Sequence, residues 1–365
     1  MKRIASFVIS ILLICSVTFT AYAETNDEKV LTLEAAKAMA VENSRQNAID
    51  DLEIRVKESQ LKQAQENADM TGDAYGAERV LENRIRKEVR VMEARTALEV
   101  ARMKKEDNMR KRALDVHEVF YNILLAKKEL EKEMQKLEIQ KEKLEFAKSR
   151  YSAGLLPEEA IIEAEYRVAS KEADIDGIRE KIHSLELRLK TLINIDLDGE
   201  LPEVSGVIKV ELLKDIDIEK VIDTRLQFDT SVYEAAGRYN AAYRTMQLTE
   251  ELFREGHTIY DTNKSNLEKA LRDYESALRN REVNIRNTYN ELLNIRDNLE
   301  LSGKYVELCL KKLDAAKAKY DKGIIDKEAY LSAKETYLDA VFSRERARCE
   351  YIVKKEKFLS LIQQL

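Results

Sequence analysis

Apolar residues recur every seven positions along two separate segments of the chain. The first ladder consists of Val116, Ile123, Leu130, Leu137, Leu144 and Tyr151, and the second of Ile285, Leu292, Leu299, Val306, Leu313 and Tyr320. A spacing of seven is typical of a helix that packs along a partner helix. The register continues beyond each ladder, since Gly154 matches Gly323 and Leu155 matches Ile324. The pattern predicts two copies of one unit, each a long helix that turns sharply and returns.

Glycine, proline and clusters of polar residues mark the helix ends. We predict helices over 33–68, 77–152, 157–195, 218–253 and 266–320, and a last helix from the turn at Gly323 to the C-terminus, with Pro157 in a first turn and Asp326 as an N-cap. Breaks at 69–76 and 254–265 interrupt the copies, and the linker at 196–215 has room for one short strand over 207–210. The chain therefore divides into a first helical hairpin repeat, 24–195, the linker, and a second repeat, 216–365.

The lengths of these helices carry a geometric prediction. In the first copy the two flanking helices together match the long one, so two short helices stacked end to end are expected to pack along one long helix. In the second copy the predicted long helix is shorter than its flanking pair, a difference that the sequence does not explain. Phe120, Tyr289 and Tyr337 hint at a second apolar helix face, of the kind that would pack between subunits.

The N-terminus has the pattern of a signal peptide. Lys2 and Arg3 precede the apolar run 4–19, and Ala21-Tyr22-Ala23 is a small-x-small cleavage site. We expect residues 1–23 to be removed and the protein to act outside the cytoplasm, in the cell envelope. Loss of Lys2 and Arg3 would bring the formal net charge from −6 to −8.

Composition excludes several classes of function. Charged residues make up 36% of the chain and both signs are finely mixed, which suits solvated coiled-coil faces and leaves no basic stripe for nucleic acid. His117, His183 and His257 are far apart, and the sequence has no motif for a metal, a phosphate loop or a nucleophile. We therefore expect no enzyme activity and no cofactor. Cys309 and Cys349 are expected to be unpaired thiols, because their predicted heights along the hairpin differ too much for a disulfide.

Three passages resemble the TolC-type family of outer-membrane efflux proteins. The segment 31–36, LTLEAA, with Val41-Glu42-Asn43, resembles the opening helix of that family. The segment 116–126, VHEVFYNILLA, and its second copy at 285–295 resemble the approach to the family's hairpins. The segments 150–155, RYSAGL, and 319–324, KYDKGI, resemble the two hairpin tips. The resemblance extends from residue 31 to residue 362.

The resemblance implies an all-α protomer of long antiparallel coiled-coil hairpins, internally duplicated. In the family three protomers form a helical barrel of twelve helical strands, which a periplasmic adaptor meets at the tips and an inner-membrane pump supplies. It therefore implies a homotrimer, an adaptor and a pump as partners. The family also inserts membrane strands between its first and second helices. The breaks at 69–76 and 254–265 are too short for a strand pair, so we expect a TolC-like helical barrel protomer without an evident β-barrel.

The tips are the candidate docking surface. The residues concerned are Arg150, Tyr151, Gly154, Leu155, Leu156, Lys319, Tyr320, Gly323, Ile324 and Ile325. Exposed aliphatic pairs at a hairpin tip suit docking with another helical hairpin, although such residues also simply cap and cover the end of a hairpin. Where the family places an aspartate after the tip glycine, this chain has Ala160 and Ala329, so the gate chemistry of the family does not carry over.

Four acidic residues follow the tips, namely Glu158, Glu159, Asp326 and Glu328. They would line a pore in an oligomer, or they complement the dipoles of the helices that begin there. The sequence therefore supports an exported component of an efflux or export system that forms, or contributes to, a helical conduit. The alternative is a non-conducting coiled-coil scaffold of the envelope.

Overall fold

The computed structural model describes residues 30–362, except residues 71, 73, 74 and 215. The expected signal peptide lies outside the described residues. The helices are α1 (Leu33–Glu42), α2 (Arg45–Asp69), α3 (Ala77–Arg84), α4 (Arg90–Ser152), α5 (Glu158–Ile193), α6 (Ile218–Arg225), α7 (Thr230–Leu252), α8 (Thr258–Asp321) and α9 (Lys327–Ile362). The short strands β1 (Val30–Leu31) and β2 (Glu203–Val204) pair in parallel.

The long helix of the first repeat is continuous from α3 into α4. A π-helical turn, Ile85–Val89, joins the two, and Val89 is buried within it. A π turn inserts one residue into the ladder of hydrogen bonds without ending the helix. The predicted helix over 77–152 is thus confirmed, and it contains a local irregularity that the heptad pattern does not reveal.

The helices form a row of four columns. Column one consists of α1, α2 and α5, and it packs on column two, which is α3 and α4. Column two packs on column three, which is α6, α7 and α9, and column three packs on column four, which is α8. Columns one and four are therefore the two outer columns of the protomer.

The end-to-end stacking predicted for the first repeat is confirmed. The amide of Asn43, after α1, donates to the carbonyl oxygen of Ile193 at 3.2 Å, and the amide of Asn194, after α5, donates to the carbonyl oxygen of Asn43 at 3.1 Å. Asn194 has the left-handed conformation, with φ of 54°, which asparagine tolerates at a helix end. The exchange of two side-chain hydrogen bonds joins the two helix ends of column one.

The predicted break at 254–265 is wrong in its extent. Only Phe253 to His257 lie outside the helices, with Gly256 at a φ of 89°, and α8 begins at Thr258. The imidazole of His257 accepts a hydrogen bond from the backbone N–H of Ile259, so it caps the helix. As a result α8 has 64 residues, which reduces the difference in length from the continuous helix over 77–152 but does not remove it.

Three other boundaries differ from the prediction. The helix over 33–68 is broken at residues 43–44, and that over 218–253 is broken at 226–229, where a 3₁₀ turn precedes the N-cap Asp229. Both breaks occur where two helices of the same column meet end to end. The strand expected over 207–210 is instead β2, at Glu203–Val204, and β1 is its partner.

Two apolar clusters lie about midway along the long helices, where the ends of the shorter helices meet. The first joins α1, α4, α5 and the β pair, with Val116, Ile123 and Leu189 among its fully buried members. The second joins α6, α8 and the end of α9 around Ile285 and Phe358. The ladders thus form hairpin seams as predicted. Cys309 and Cys349 are buried free thiols, also as predicted.

The proposed second apolar face is wrong for all three of its residues. Phe120 is buried in the first cluster, Tyr289 packs against Phe358 in the second, and Tyr337 packs beside Val306. Phe120 and Tyr337 lie inside the protomer because the row of columns buries two sides of α4 and of α9, and Tyr289 lies on the side of α8 that column three covers. A face between subunits has to be found elsewhere.

Candidate functional site: the hairpin tips and the outer helix faces

The two hairpin tips have the same backbone structure. The N–H of Gly154 donates to the carbonyl of Tyr151 and that of Leu155 to the carbonyl of Arg150, at 2.8 and 2.9 Å. In the second repeat Gly323 and Ile324 donate to Tyr320 and Lys319 at the same two distances. This is the Schellman arrangement, which needs a left-handed residue after the helix, and the φ angles of the glycines are 73° and 68°. The repeat therefore extends to individual hydrogen bonds.

Each tip carries one exposed and one half-buried aliphatic residue. Leu155 exposes 65% of its surface and Ile324 exposes 66%, whereas the next residues, Leu156 and Ile325, are half-buried. Leu156 lies in a groove with Phe146 and Ala164. The first aliphatic residue of each pair thus projects from the tip, while the second covers the end of the hairpin.

The aromatic residues at the tips differ between the repeats. The rings of Tyr320 and Tyr330 stack with centroids 5.4 Å apart, whereas Tyr151 is exposed, since the position matching Tyr330 is Ile161. The guanidinium of Arg150 lies 5.7 Å from the centre of the Phe146 ring. Lys319, its counterpart, is exposed. Only the first tip therefore presents a tyrosine to solvent.

The four acidic residues lie at helix N-termini. Asp326 caps α9 as predicted, because its carboxylate accepts from the N–H of Ala329 at 2.9 Å. Glu158 and Glu159 lie in the first turn of α5 and Glu328 in the first turn of α9. In the protomer they complement helix dipoles. Their role as a pore lining remains a prediction.

Ion pairs join the two hairpins along the half of α4 and α9 that lies nearer the tips. Lys143 of α4 lies 2.7 Å from Glu335 of α9, and Lys136 lies 2.7 Å from Asp339. Closer to the tips, Lys327 pairs with Glu142 at 3.2 Å. The lysines at 136 and 143 expose only 14% and 11% of their side chains. This inter-hairpin seam is ionic, whereas the seams inside each hairpin are apolar ladders.

The outer faces of columns one and four carry exposed apolar residues in a regular pattern. We call the α5 stripe Glu159, Ile162, Tyr166, Ala169, Ala173, Asp176 and Glu180, and the α8 stripe Leu301, Lys304, Leu308, Lys311, Ala315, Ala318 and Lys322, the last just beyond the helix. All of these residues are exposed. Each lies two positions from a buried or half-buried residue, about 200° around the helix, so both stripes point away from the protomer. Neither stripe was identified from the sequence, although the spacing of three and four residues would have shown both.

The described residues hold no cluster of three or more potential metal ligands, and none of their helices has a stretch long and apolar enough to cross a membrane. His117 is buried, whereas His183 and His257 are exposed and lie on other helices or turns. The predicted histidines are therefore not brought together. The arrangement provides surfaces for contact with other molecules.

Comparison with solved structures identifies the fold. The outer membrane protein VceC of Vibrio cholerae is 13% identical, with a TM-score of 0.69 over 90% of this chain and 95% of the other. CusC, whose structures concern transmembrane channel formation, is 14% identical, with a TM-score of 0.71 over 94% and 95%. The CmeC outer membrane channel of Campylobacter jejuni is 13% identical, with a TM-score of 0.65 over 91% and 85%.

This chain has the TolC-type channel fold. Neither the family models nor the curated proteins contain a match to the sequence. The TolC-type likeness is therefore one of structure at low identity, and it confirms the predicted architecture of duplicated long hairpins.

Proposed function

We propose that the protein is an exported conduit component of an efflux-type system, in which three copies close into a ring of helical columns. The observation that carries the proposal is the open row of four columns. Its two outer columns expose the α5 and α8 stripes, on which no other helix of the described residues packs. Such a row is completed when column four of one copy packs on column one of the next copy. We infer that three copies close the ring, as in the TolC-type fold.

The hairpin tips are the proposed docking site for an adaptor. Leu155 and Ile324 project at the ends of two adjacent hairpins, where they form paired apolar contacts that a partner hairpin can cover. Arg150 and Lys319, one turn earlier, add positive charge to the same surface. From the same fold we infer an inner-membrane pump as a further partner. We also infer that the protein is located in the cell envelope.

The shape of the assembled particle tests whether the protein forms a conduit. Electron microscopy of particles of the chain after removal of residues 1–23 should show class averages with threefold symmetry and a central hole. A rod without a hole would instead favour the non-conducting scaffold. The image distinguishes the two functions because a scaffold does not require a lumen.

Docking is tested separately with Leu155→Glu and Ile324→Glu. Each places a charge on an exposed tip where the fold tolerates it, so stability should be unchanged while co-purification of an adaptor of the same envelope is lost. Leu212→Glu, at a similarly exposed apolar residue of the linker far from the tips, is the control and should leave adaptor binding in place. Retention of the adaptor by both tip variants would refute tip docking.

A further inference from the structure

The charge near the tips differs in sign between the two outer columns. Residues 158–176 of α5 hold seven acidic side chains against two basic ones, whereas residues 304–322 hold six lysines against three acidic side chains. Both segments follow or precede a tip directly, so they lie at the same end of the protomer. An acidic outer edge and a basic outer edge at the same level are complementary.

The two stripes also match in their distance from the tips. Leu308 precedes Gly323 by as many positions as Ala169 follows Gly154. Lys311 and Tyr166 are likewise equally far along the chain from their tip glycines. Because each residue of an α-helix adds about 1.5 Å, equal separations place these pairs at equal heights when the tips are level. The large Leu308 then lies against the small Ala169, and Lys311 lies against the ring of Tyr166.

The whole α5 stripe repeats this correspondence. Its positions 159, 162, 166, 169, 173, 176 and 180 lie as far from Gly154 as positions 318, 315, 311, 308, 304, 301 and 297 lie from Gly323. Six of these seven counterparts belong to the α8 stripe. Two helices with the same alternation of three and four residues, running in opposite directions, present matching rows of side chains.

Charges within the stripes pair with neighbours on their own helices. Lys304 pairs with Glu300 and Asp176 pairs with Arg179, both on exposed surface. Exposed pairs of this kind are weak, so the side chains are able to exchange partners when a second helix arrives. The middle of the α5 stripe, Ala169 and Ala173, offers a flat surface for the close approach of that helix.

We propose that the α8 stripe of one copy packs antiparallel against the α5 stripe of the next, with the tips level and Leu308 seated against Ala169. The occupant of each outer face is thus a second copy of this chain. The inference rests on the proposed ring and adds its contact, register and charge pattern. The contact is heterologous, because the two surfaces are different, so it forms a closed assembly only when the rotation between copies closes.

Cysteine cross-linking tests the register directly. Ala169→Cys and Leu308→Cys are introduced together into a chain in which Cys309→Ala and Cys349→Ala remove the native thiols. The control places the second cysteine at Leu301 instead, two helical turns and about 10 Å farther from the tips. A disulfide needs Cα atoms within about 7 Å, so the matched pair should cross-link at least about tenfold more than the control pair.

Co-expression of the two single variants tests that the contact is heterologous. A chain carrying only Ala169→Cys and a chain carrying only Leu308→Cys should give a cross-linked dimer together and none separately, and the double variant should give a ladder that ends at three. Native mass measured on the same samples separates two failures. A trimer in which the control pair cross-links as well as the matched pair, or neither does, overturns the register while the ring stands, and a monomer overturns both.

Discussion

The guanidinium of Arg281 lies 3.1 Å from the carboxylate of Asp229, and the two side chains expose only 6% and 14% of their surface. Arg281 also donates a hydrogen bond to the carbonyl of Leu361 at the end of α9. One residue of α8 therefore holds the start of α7 and the end of α9 together. Arg281 thus joins two helix ends of column three, as the hydrogen bonds of Asn43 and Asn194 join two helix ends of column one.

Loss of Arg281 should strongly destabilise the protomer. Arg281→Met leaves the buried carboxylate of Asp229 without its charge partner, and we expect the free energy of unfolding to fall by about 3 kcal/mol in denaturant titrations. Adding Asp229→Asn, which keeps the cap on Ser231 and Val232, should recover part of that loss. If the double variant is less stable than the sum of the single changes, the buried pair is not the cause. Arg286→Met, at an exposed pair with Glu219, is the matched control and should have a much smaller effect.

His117 should make stability depend on pH. Burial lowers the pKa of His117 from 6.5 to about 4, with Lys37 and Lys355 acting in the same direction and Glu356 and Glu118 opposing them. Because the folded pKa is the lower one, the unfolded chain binds more protons between these values. Stability should therefore be complete above pH 6.5, fall as the pH drops towards 4, and lose on the order of 2–3 kcal/mol in total.

The variant His117→Gln isolates this contribution. Stability of the native chain also falls with pH through Glu356, whose pKa is lowered by its hydrogen bond with Lys37 despite an opposing effect of burial. The informative quantity is thus the difference in slope between the two chains from pH 6.5 to pH 4. Equal slopes would show that His117 does not carry the effect, and the exposed His183→Gln should match the native chain throughout.

Gly237 should be the least replaceable glycine inside a helix. A Cβ at this position of α7 would overlap the Cγ2 of Thr96 on α4, so the Thr96 side chain or the two helices would have to shift. We expect Gly237→Ala to lower the free energy of unfolding by about 1–3 kcal/mol. Gly303→Ala, where nothing lies within 4 Å, should cause no loss. A neutral Gly237→Ala would mean that columns two and three are less closely packed than the structure shows.

The tip glycines should resist alanine for a different reason. Nothing lies near their missing Cβ atoms, but their φ angles of 73° and 68° are strained for other residues. Each of Gly154→Ala and Gly323→Ala should cost about 1–2 kcal/mol in thermal or chemical unfolding. Asparagine tolerates this region better, so Gly154→Asn should be milder than Gly154→Ala. The reverse order would argue against a backbone cause.

Much of the fold could be predicted because the sequence repeats the same pattern of apolar residues and turn glycines in both halves. The heptad ladders locate the seams, and Gly154 and Gly323 locate turns that match to individual hydrogen bonds. The break before α8 could not be placed, because polar residues such as Asn263 and Ser265 suit both a loop and an exposed helix. Its real start is set by Gly256 and by the capping imidazole of His257.

The surfaces were harder to predict than the seams. The sequence suggests a second apolar face at Phe120, Tyr289 and Tyr337, yet which side of a helix is covered depends on the order of the columns. That order is a tertiary property, and sequence periodicity only fixes the angle between two faces. The spacing of three and four residues in the α5 and α8 stripes is present in the sequence, but only the order of the columns shows that these faces lie on the outside.

The native mass of the chain without residues 1–23, measured by light scattering after size exclusion, tests the central claim most directly. The proposed ring predicts a stable assembly of three times the protomer mass at micromolar concentration, weakened by high salt because the outer edges carry opposite charge. A monomer across the whole concentration range, or a dimer closed by two identical surfaces, would contradict it.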